Sequence, residues 1–356
     1  MVSDHIEVAL DKAELYLRNG ETQGAEKILR SVLAIFPENE RAAQGIQQIK
    51  RLKVDLPSTR MGNFQNEIQK LIDFYNQGRW QEVLQHAEKI IRYTTPNVIL
   101  FNLIAASNAG LKNWDQAIEN FKKVLEIDPD DVMAYYNIGN IYKEKGEFDA
   151  SITSYKKAVS IQPDHFLSHN NMGSVYKTHG DLEAAIEKFK TTVNIKPDFA
   201  LAHFNLAVAL QERGDFDASI KSYEKACEIK PDFLKALFNM GNALKDIGDP
   251  AGAISAYKKV LRINPDYAEA NVNIGISLLN MGDLGAAMKY FKQALKINPE
   301  YVEAYRNMGV ALQANGDLSE AIEVYKKVIN INPDYVEAYI NMGVALQNKG
   351  HMHAAM

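Results

Sequence analysis

Seven asparagines, Asn137, Asn171, Asn205, Asn239, Asn273, Asn307 and Asn341, recur every 34 residues, each two residues before a glycine or alanine. A carboxamide carries donors and an acceptor, so it can hold one backbone N–H and one C=O of an extended chain without reading its side chains. Other chemistry-bearing residues lack a workable geometry. His165 and His169 stand four apart and His203 follows His169 by one repeat, but equivalent rows of neighbouring helices lie about 10 Å apart, whereas zinc needs nitrogens about 2 Å from one ion. His351 and His353 also lack the spacing of a zinc motif. Cys227 follows Ala226 with no paired His or Asp in its unit, which suits a small buried hydrophobe. No glycine-rich phosphate loop, nucleophile elbow or carboxylate pair is visible, and the recurrent Asp and Glu read as helix caps. The expectation is a chain without catalysis, metal or cofactor.

Composition narrows the partners. The 356 residues are 46% apolar and 24% charged with a net charge of −5, which gives no electrostatic case for nucleic acid. A single cysteine allows no internal disulfide and fits a reducing, cytoplasmic setting. Asp4, Glu7, Asp11 and Glu14 stand where a secretory signal would need a basic start and an apolar run. Val98 to Leu111 is interrupted by Asn102, Ser107 and Asn108 and is too short to span a bilayer. A soluble protein without membrane contact is expected.

The elements that must position the asparagines share their period. Pro129 through Pro333 and Gly146 through Gly350 keep the same 34-residue step, which marks a stack of helix-turn-helix units, each resting mainly on its neighbours. Residues 1–53 read as a divergent hairpin plus a helix, 54–63 as a linker, and 64–97 as a second divergent unit with Gly78-Arg-Trp80 at its turn. Seven regular units occupy 98–335 and an incomplete eighth occupies 336–356. Asp334 with Glu337, and Asp317 with Glu320, have capping-box spacing, and Pro250 after Asp249 sits where proline starts a helix. At about 100° per residue, Tyr305, Met308, Gly309 and Leu312 form a core stripe while Glu303, Arg306, Asn307, Val310 and Gln313 face the other way. Gly309 and Ala321 allow close helix approach.

Tyr135, Ile138-Gly139, Tyr142, Gly146, Ser151, Tyr155, Ala158 and Pro163, repeated six more times with few exceptions, resemble the tetratricopeptide repeat. Ala207 for the glycine, Asn108 for the tyrosine, and Ser151 and Ser219 for the alanine depart from its pattern. The resemblance implies an all-α fold, a right-handed superhelix (α-α solenoid) whose first helices line a concave groove for peptides or partner helices. The Asn-x-Gly placement is further similar to the repeat region of O-linked N-acetylglucosamine transferase, where matching asparagines form a ladder. The N-terminal units are similar to the front of bacterial repeat proteins that carry sulfotransferase, glycosyltransferase or iron-oxygenase domains. The lysines and arginines of a carboxylate clamp are absent, since Tyr136, Asn170, Phe204 and Asn205 hold those rows.

The expected function is a non-catalytic scaffold for a protein or peptide held in the groove by the asparagine ladder. An alternative role for the carboxamides is to fix the angle between repeats. Phe204, Val208, Phe238 and Ile276 are expected to make the middle of the groove apolar, with Asn242 beside them, and ordinary packing against the next helix is the competing role. A second functional reading is the substrate-recruiting region of a larger glycosyltransferase or sulfotransferase. Met342, Leu346, Met352 and Met356 would lack second-helix partners, so self-association through that end is also expected as a possibility.

Overall fold

A glycine that can take positive φ after the first helix in every repeat from Gly146 on, and a proline after the second, predict hairpins of two short helices. A computed structural model describes residues 2–55, 58–91 and 97–350, and among the described residues every regular element is helical. The divergent start holds α1 (Val2–Arg18), α2 (Thr22–Ile35), α3 (Glu40–Asp55), α4 (Ser58–Asn76) and α5 (Trp80–Ile91). The regular pairs follow as α6 (Val98–Gly110) with α7 (Trp114–Ile127), α8 (Val132–Lys145) with α9 (Phe148–Ile161), α10 (Phe166–His179) with α11 (Leu182–Ile195), and α12 (Ala200–Arg213) with α13 (Phe216–Ile229). They continue as α14 (Leu234–Asp246) with α15 (Pro250–Ile263), α16 (Ala268–Asn280) with α17 (Leu284–Ile297), α18 (Val302–Asn315) with α19 (Leu318–Ile331), and finally α20 (Val336–Asn348). The chain divides into two compact units, Met1–Val175 and Tyr176–Met356. Within each unit consecutive helices pack side by side. No helix among the described residues is long and apolar enough to cross a membrane.

One motif builds each hairpin. In the second unit, Tyr257 of α15 is fully buried and packs against Gly241 of α14, where a Cβ would meet the ring at 2.5 Å. Ala253 and Val260, also fully buried, flank that ring. The two serine departures stitch helices together: the Ser151 hydroxyl donates to the Gly139 carbonyl at 2.7 Å and the Ser219 hydroxyl to the Ala207 carbonyl at 2.8 Å. Both serines are completely buried. A buried hydroxyl must find an acceptor, and the first-helix carbonyl supplies it without enlarging the side chain much beyond alanine.

Side-chain caps occur in both helices of the hairpin, and among first helices Asn97 caps α6 and Asp131 caps α8. Four second helices are capped by aspartate, with Asp181, Asp215, Asp249 and Asp283 accepting from the backbone N–H three residues on, whereas Asn113 and Glu147 start α7 and α9 without a side-chain bond, and Pro250 sits in the first turn of α15. Asp317 starts α19 without such a bond. First helices differ from the capping-box expectation at Asp334: the cap of α20 is Tyr335, without a side-chain cap bond, as it is Tyr301 for α18 and Phe233 for α14. The aromatic cap contributes packing in place of a hydrogen bond. Phe233 lies 5.0 Å from the ring of Phe204, and Tyr267 lies 5.1 Å from Phe238.

The stretch expected as a linker, 54–63, is helical on both sides of residues 56 and 57. Val54 and Asp55 end α3, Ser58 begins α4, and 59–63 continue it, leaving only residues 56 and 57 outside the described residues. Proline just ahead of a first turn is a helix start, and one interior glycine costs only about 1 kcal/mol, so Pro57 and Gly62 in the sequence do not demand a loop. Met342 and Leu346 find partners in the preceding repeat, against the cluster around Tyr325, whereas Met352 and Met356 lie outside the described residues.

Candidate peptide-binding face

The ladder asparagines all sit in the middle of first helices, but they do not share one environment. Six are half-buried; Asn307, expected to face the groove, is only 5% exposed. Its amide donates to the Glu303 carbonyl at 2.8 Å and its oxygen accepts from Arg306 at 3.1 Å, so this rung is spent on its own helix. Asn171 is likewise engaged. Its amide donates to Asn140 Oδ1 at 2.8 Å and to the Tyr136 hydroxyl at 3.2 Å, and its oxygen accepts from Asn170 at 3.3 Å. These bonds join α10 to α8, which is the angle-fixing role.

The remaining rungs carry lighter commitments. Asn273 Oδ1 accepts from Lys245 at 3.3 Å, and Asn239 reaches the Tyr223 hydroxyl from the following repeat. Asn205 takes part in an interaction within the fold. Asn137 and Asn341 make no side-chain hydrogen bond among the described residues.

A set of residues that the spacing alone did not single out explains the difference. The aromatic of each second helix is either tyrosine or phenylalanine, and each buried phenol reaches back toward the exposed side of its first helix. Tyr155 donates to Asn140 at 2.7 Å and Tyr257 to Asn242 at 2.7 Å. Tyr223 donates to Gln211 at 2.9 Å and Tyr325 to Gln313 at 3.2 Å. Where the aromatic is Phe121, Phe189 or Phe291, the two corresponding first-helix positions hold Ala106 and Ala109, Ser174 and Lys177, or Ile276 and Leu279, with no carboxamide. That pairing of Tyr with Asn or Gln was readable in the chain. Burial pushes the phenols up, Tyr223 and Tyr325 to about 12, and Tyr155 and Tyr257 further in the same direction. For Tyr223 the bond from Asn239 opposes the shift.

This pairing gives a direct expectation. Asn242→Leu strands the Tyr257 hydroxyl and should cost about 1–3 kcal/mol in urea unfolding, the usual penalty for an orphaned buried donor. Adding Tyr257→Phe should restore most of it, because both polar partners are then gone.

The apolar row expected to anchor a guest has partners inside the fold. Phe204 lies 6.0 Å from Tyr223 as well as 5.0 Å from Phe233, and Phe238 lies 5.6 Å from Tyr257. Phe204, Val208 and Phe238 all pack as half-buried residues against the core of the second unit. Rings covered on two sides form a seam between repeats. Asn242 in turn serves the Tyr257 phenol.

The other candidates have internal roles too. His165 Nδ1 is 2.7 Å from the Ser168 hydroxyl and its ring meets Tyr136 edge-on at 5.2 Å. Its pKa is lowered first by burial, then by His169. His169 and His203 each turn Nε2 to a proline carbonyl, Pro163 and Pro197, at 3.0 and 2.9 Å. No three metal-ligating residues converge among the described residues. Burial pushes the Cys227 thiol up to about 11, away from thiolate chemistry. Lys177 pairs with Glu212 at 2.8 Å on the surface. His351 and His353 lie outside the described residues.

Among curated proteins none matches the chain. Of solved structures, the C-terminal part of a TPR repeat-containing protein from Cytophaga hutchinsonii is similar over 67% of this chain and 98% of its own, at 17% identity and a TM-score of 0.59, a likeness of fold. A MamA crystal structure is 28% identical over 48% of this chain and 92% of its own, at a TM-score of 0.46. YrrB, described as a TPR protein with an unusual peptide-binding site, is 21% identical over 53% of this chain and 97% of its own, at a TM-score of 0.49. The TPR repeat model matches 111–146, 139–180, 176–214, 209–248, 241–282, 277–316 and 314–350, well over half the chain. Helix pairs of constant period, built on a ring of one helix against a glycine of the other, and matched repeat by repeat, place this chain in the tetratricopeptide repeat family.

Proposed function

We propose that the chain is a protein-interaction scaffold, and that the first helices of each unit hold an extended segment of another protein by its main chain. The observation that carries this reading is the half-buried carboxamide at one fixed place on successive first helices, with hydrogen-bonding capacity that the fold leaves over at Asn137, Asn239, Asn273 and Asn341. Packing alone would be served by alanine or leucine there. A half-buried carboxamide is worth retaining where a polar guest completes its bonds. Asn171 and Asn307 take no part in the proposed grip, because their bonds are made within the fold. No catalytic role is proposed for any of these side chains.

The test is the joint replacement of Asn205, Asn239 and Asn273 by alanine. The fold should survive it, since Tyr223 keeps Gln211 and Tyr257 keeps Asn242 as acceptors. Peptides selected on the unmodified protein from a random display library should lose at least about tenfold in affinity, the order expected for two or three hydrogen bonds of about 1 kcal/mol each. Retained affinity, or loss of the folded state in place of affinity, would contradict the reading.

A further inference from the structure

The ladder is missing from one regular repeat, and that repeat contains a cavity. In α6 the position of the ladder asparagine is Leu103, and the turn position that is glycine in later repeats is Lys112, held at φ 61. The next two exposed-side positions are Ala106 and Ala109, where other first helices carry longer side chains such as Asn140 and Lys143, or Val208 and Gln211. Their small size opens a cavity of ≈ 250 Å³ in the first unit, floored by these alanines. Three rings, Tyr75 of α4 and Trp114 and Phe121 of α7, form its walls, and Asn137, Asn140 and Glu144 of α8 form its polar side.

The chemistry of that lining is specific. Asn140 Oδ1 already accepts from Tyr155 and Asn171, which fixes the flip of its amide and leaves the N–H2 to serve a guest. Asn137 is uncommitted among the described residues. Glu144 is more than half exposed, and its one ion pair among the described residues is with Lys143 at 3.7 Å, a pair of little worth in water. Lys145 is taken by Asp115 at 3.0 Å and Glu147 at 2.8 Å. Glu144 is therefore the one charged side chain among the residues that line the cavity.

We propose that this cavity is a side-chain pocket for an arginine of the bound segment. A guanidinium is flat and weakly hydrated, stacks on aromatic faces, and pairs with a carboxylate, so it matches Tyr75 and Trp114 on one side and Glu144 on the other. A lysine ammonium matches the charge without the stacking, and a phenylalanine matches the rings while leaving Glu144 unused. The assignment rests on the reading that this face holds a peptide, with Asn137 taking the main chain beside the arginine.

Three blocked tripeptides distinguish the parts: acetyl-Gly-Arg-Gly-amide, acetyl-Gly-Phe-Gly-amide and acetyl-Gly-Ala-Gly-amide, titrated into the full chain at millimolar concentration. The readout is the indole N–H resonance of Trp114 in a nitrogen-15 correlation spectrum. Trp80, the other tryptophan, stacks over Gly110 outside the cavity lining and serves as the internal reference. The arginine peptide should shift Trp114 at the lowest concentration, and Glu144→Gln should weaken it about tenfold while leaving the phenylalanine peptide unchanged. Ala106→Leu, which fills the cavity, should abolish the shift with an unaltered melting temperature. Equal binding of all three peptides, all weakened by Asn137→Ala and none by Glu144→Gln, would overturn the pocket and leave the main-chain grip standing. Arginine binding that fails with Glu144→Gln but ignores Asn137→Ala would keep the pocket and remove the grip there. Absence of any Trp114 shift, or a preference for phenylalanine, overturns the proposal.

Discussion

Tyr257→Ala is expected to cost about 3–5 kcal/mol, the range for deleting a fully buried aromatic ring. The ring lies at 0% exposure between Gly241 on one side and the buried Ala253 and Val260 on its own helix, and Phe238 covers its edge. None of those neighbours can fill the space: Gly241 has no side chain, and Phe238 is held against Tyr267. The cavity should therefore stay open. Because each repeat rests mainly on its neighbours, the loss should appear in urea unfolding as an early transition of the central repeats and a broader overall curve. A single sharp transition at the original midpoint would contradict this packing account. Tyr257→Phe, which keeps the ring, should cost only about 1 kcal/mol, leaving Asn242 to find water or Lys245.

Gly241→Leu attacks the same contact from the other helix. A Cβ at this position meets the Tyr257 ring at 2.5 Å, and every further carbon must push α14 and α15 apart. Overpacking of this kind costs about 1–3 kcal/mol or somewhat more. Alanine is the instructive control. The chain itself carries Ala207 at the equivalent place against Tyr223, both fully buried, so a hairpin can open enough for one methyl. Gly241→Ala should accordingly lose much less than leucine, the more so because alanine is about 1 kcal/mol better than glycine inside a helix. The check is again the urea midpoint, and a leucine variant as stable as the alanine variant would show that the glycine does not set the helix separation.

The architecture was legible because it follows from short-range rules repeated many times. Glycine at the turn, aspartate before the second helix, and a small residue opposite a ring each act within one hairpin, and the period multiplies the signal. Asp249-Pro250 and the core stripe from Tyr305 to Leu312 could be read in this way. The start of α20 could not, because Asp334 satisfies the local rule while the cap falls on Tyr335, without a side-chain bond. Nor could the burial of Asn307 be read from its helical phase, since it depends on Arg306 lying alongside and bonding its oxygen. The surroundings of the apolar row were hidden for a related reason. On a single helix Phe204 and Phe238 face away from the core stripe, but Tyr223, Phe233 and Tyr267 come from neighbouring segments to cover them. Helical periodicity locates a face and leaves open whether that face meets solvent or the next repeat.

What the structure sharpened is the meaning of the ladder. Two rungs are consumed by the fold, and the claim that the others hold main chain can be tested with a display-selected peptide and versions of it carrying one N-methylated backbone amide at a time. N-methylation removes a single N–H donor, so its penalty reports whether an acceptor on the protein uses that donor. Affinities would be measured by titration calorimetry on the unmodified chain and on the Asn205→Ala, Asn239→Ala, Asn273→Ala variant. The account predicts a penalty of about tenfold at spaced positions of the peptide on the unmodified chain, and loss of that penalty on the variant. Equal penalties on both proteins would show that the asparagines do not hold the backbone of the guest.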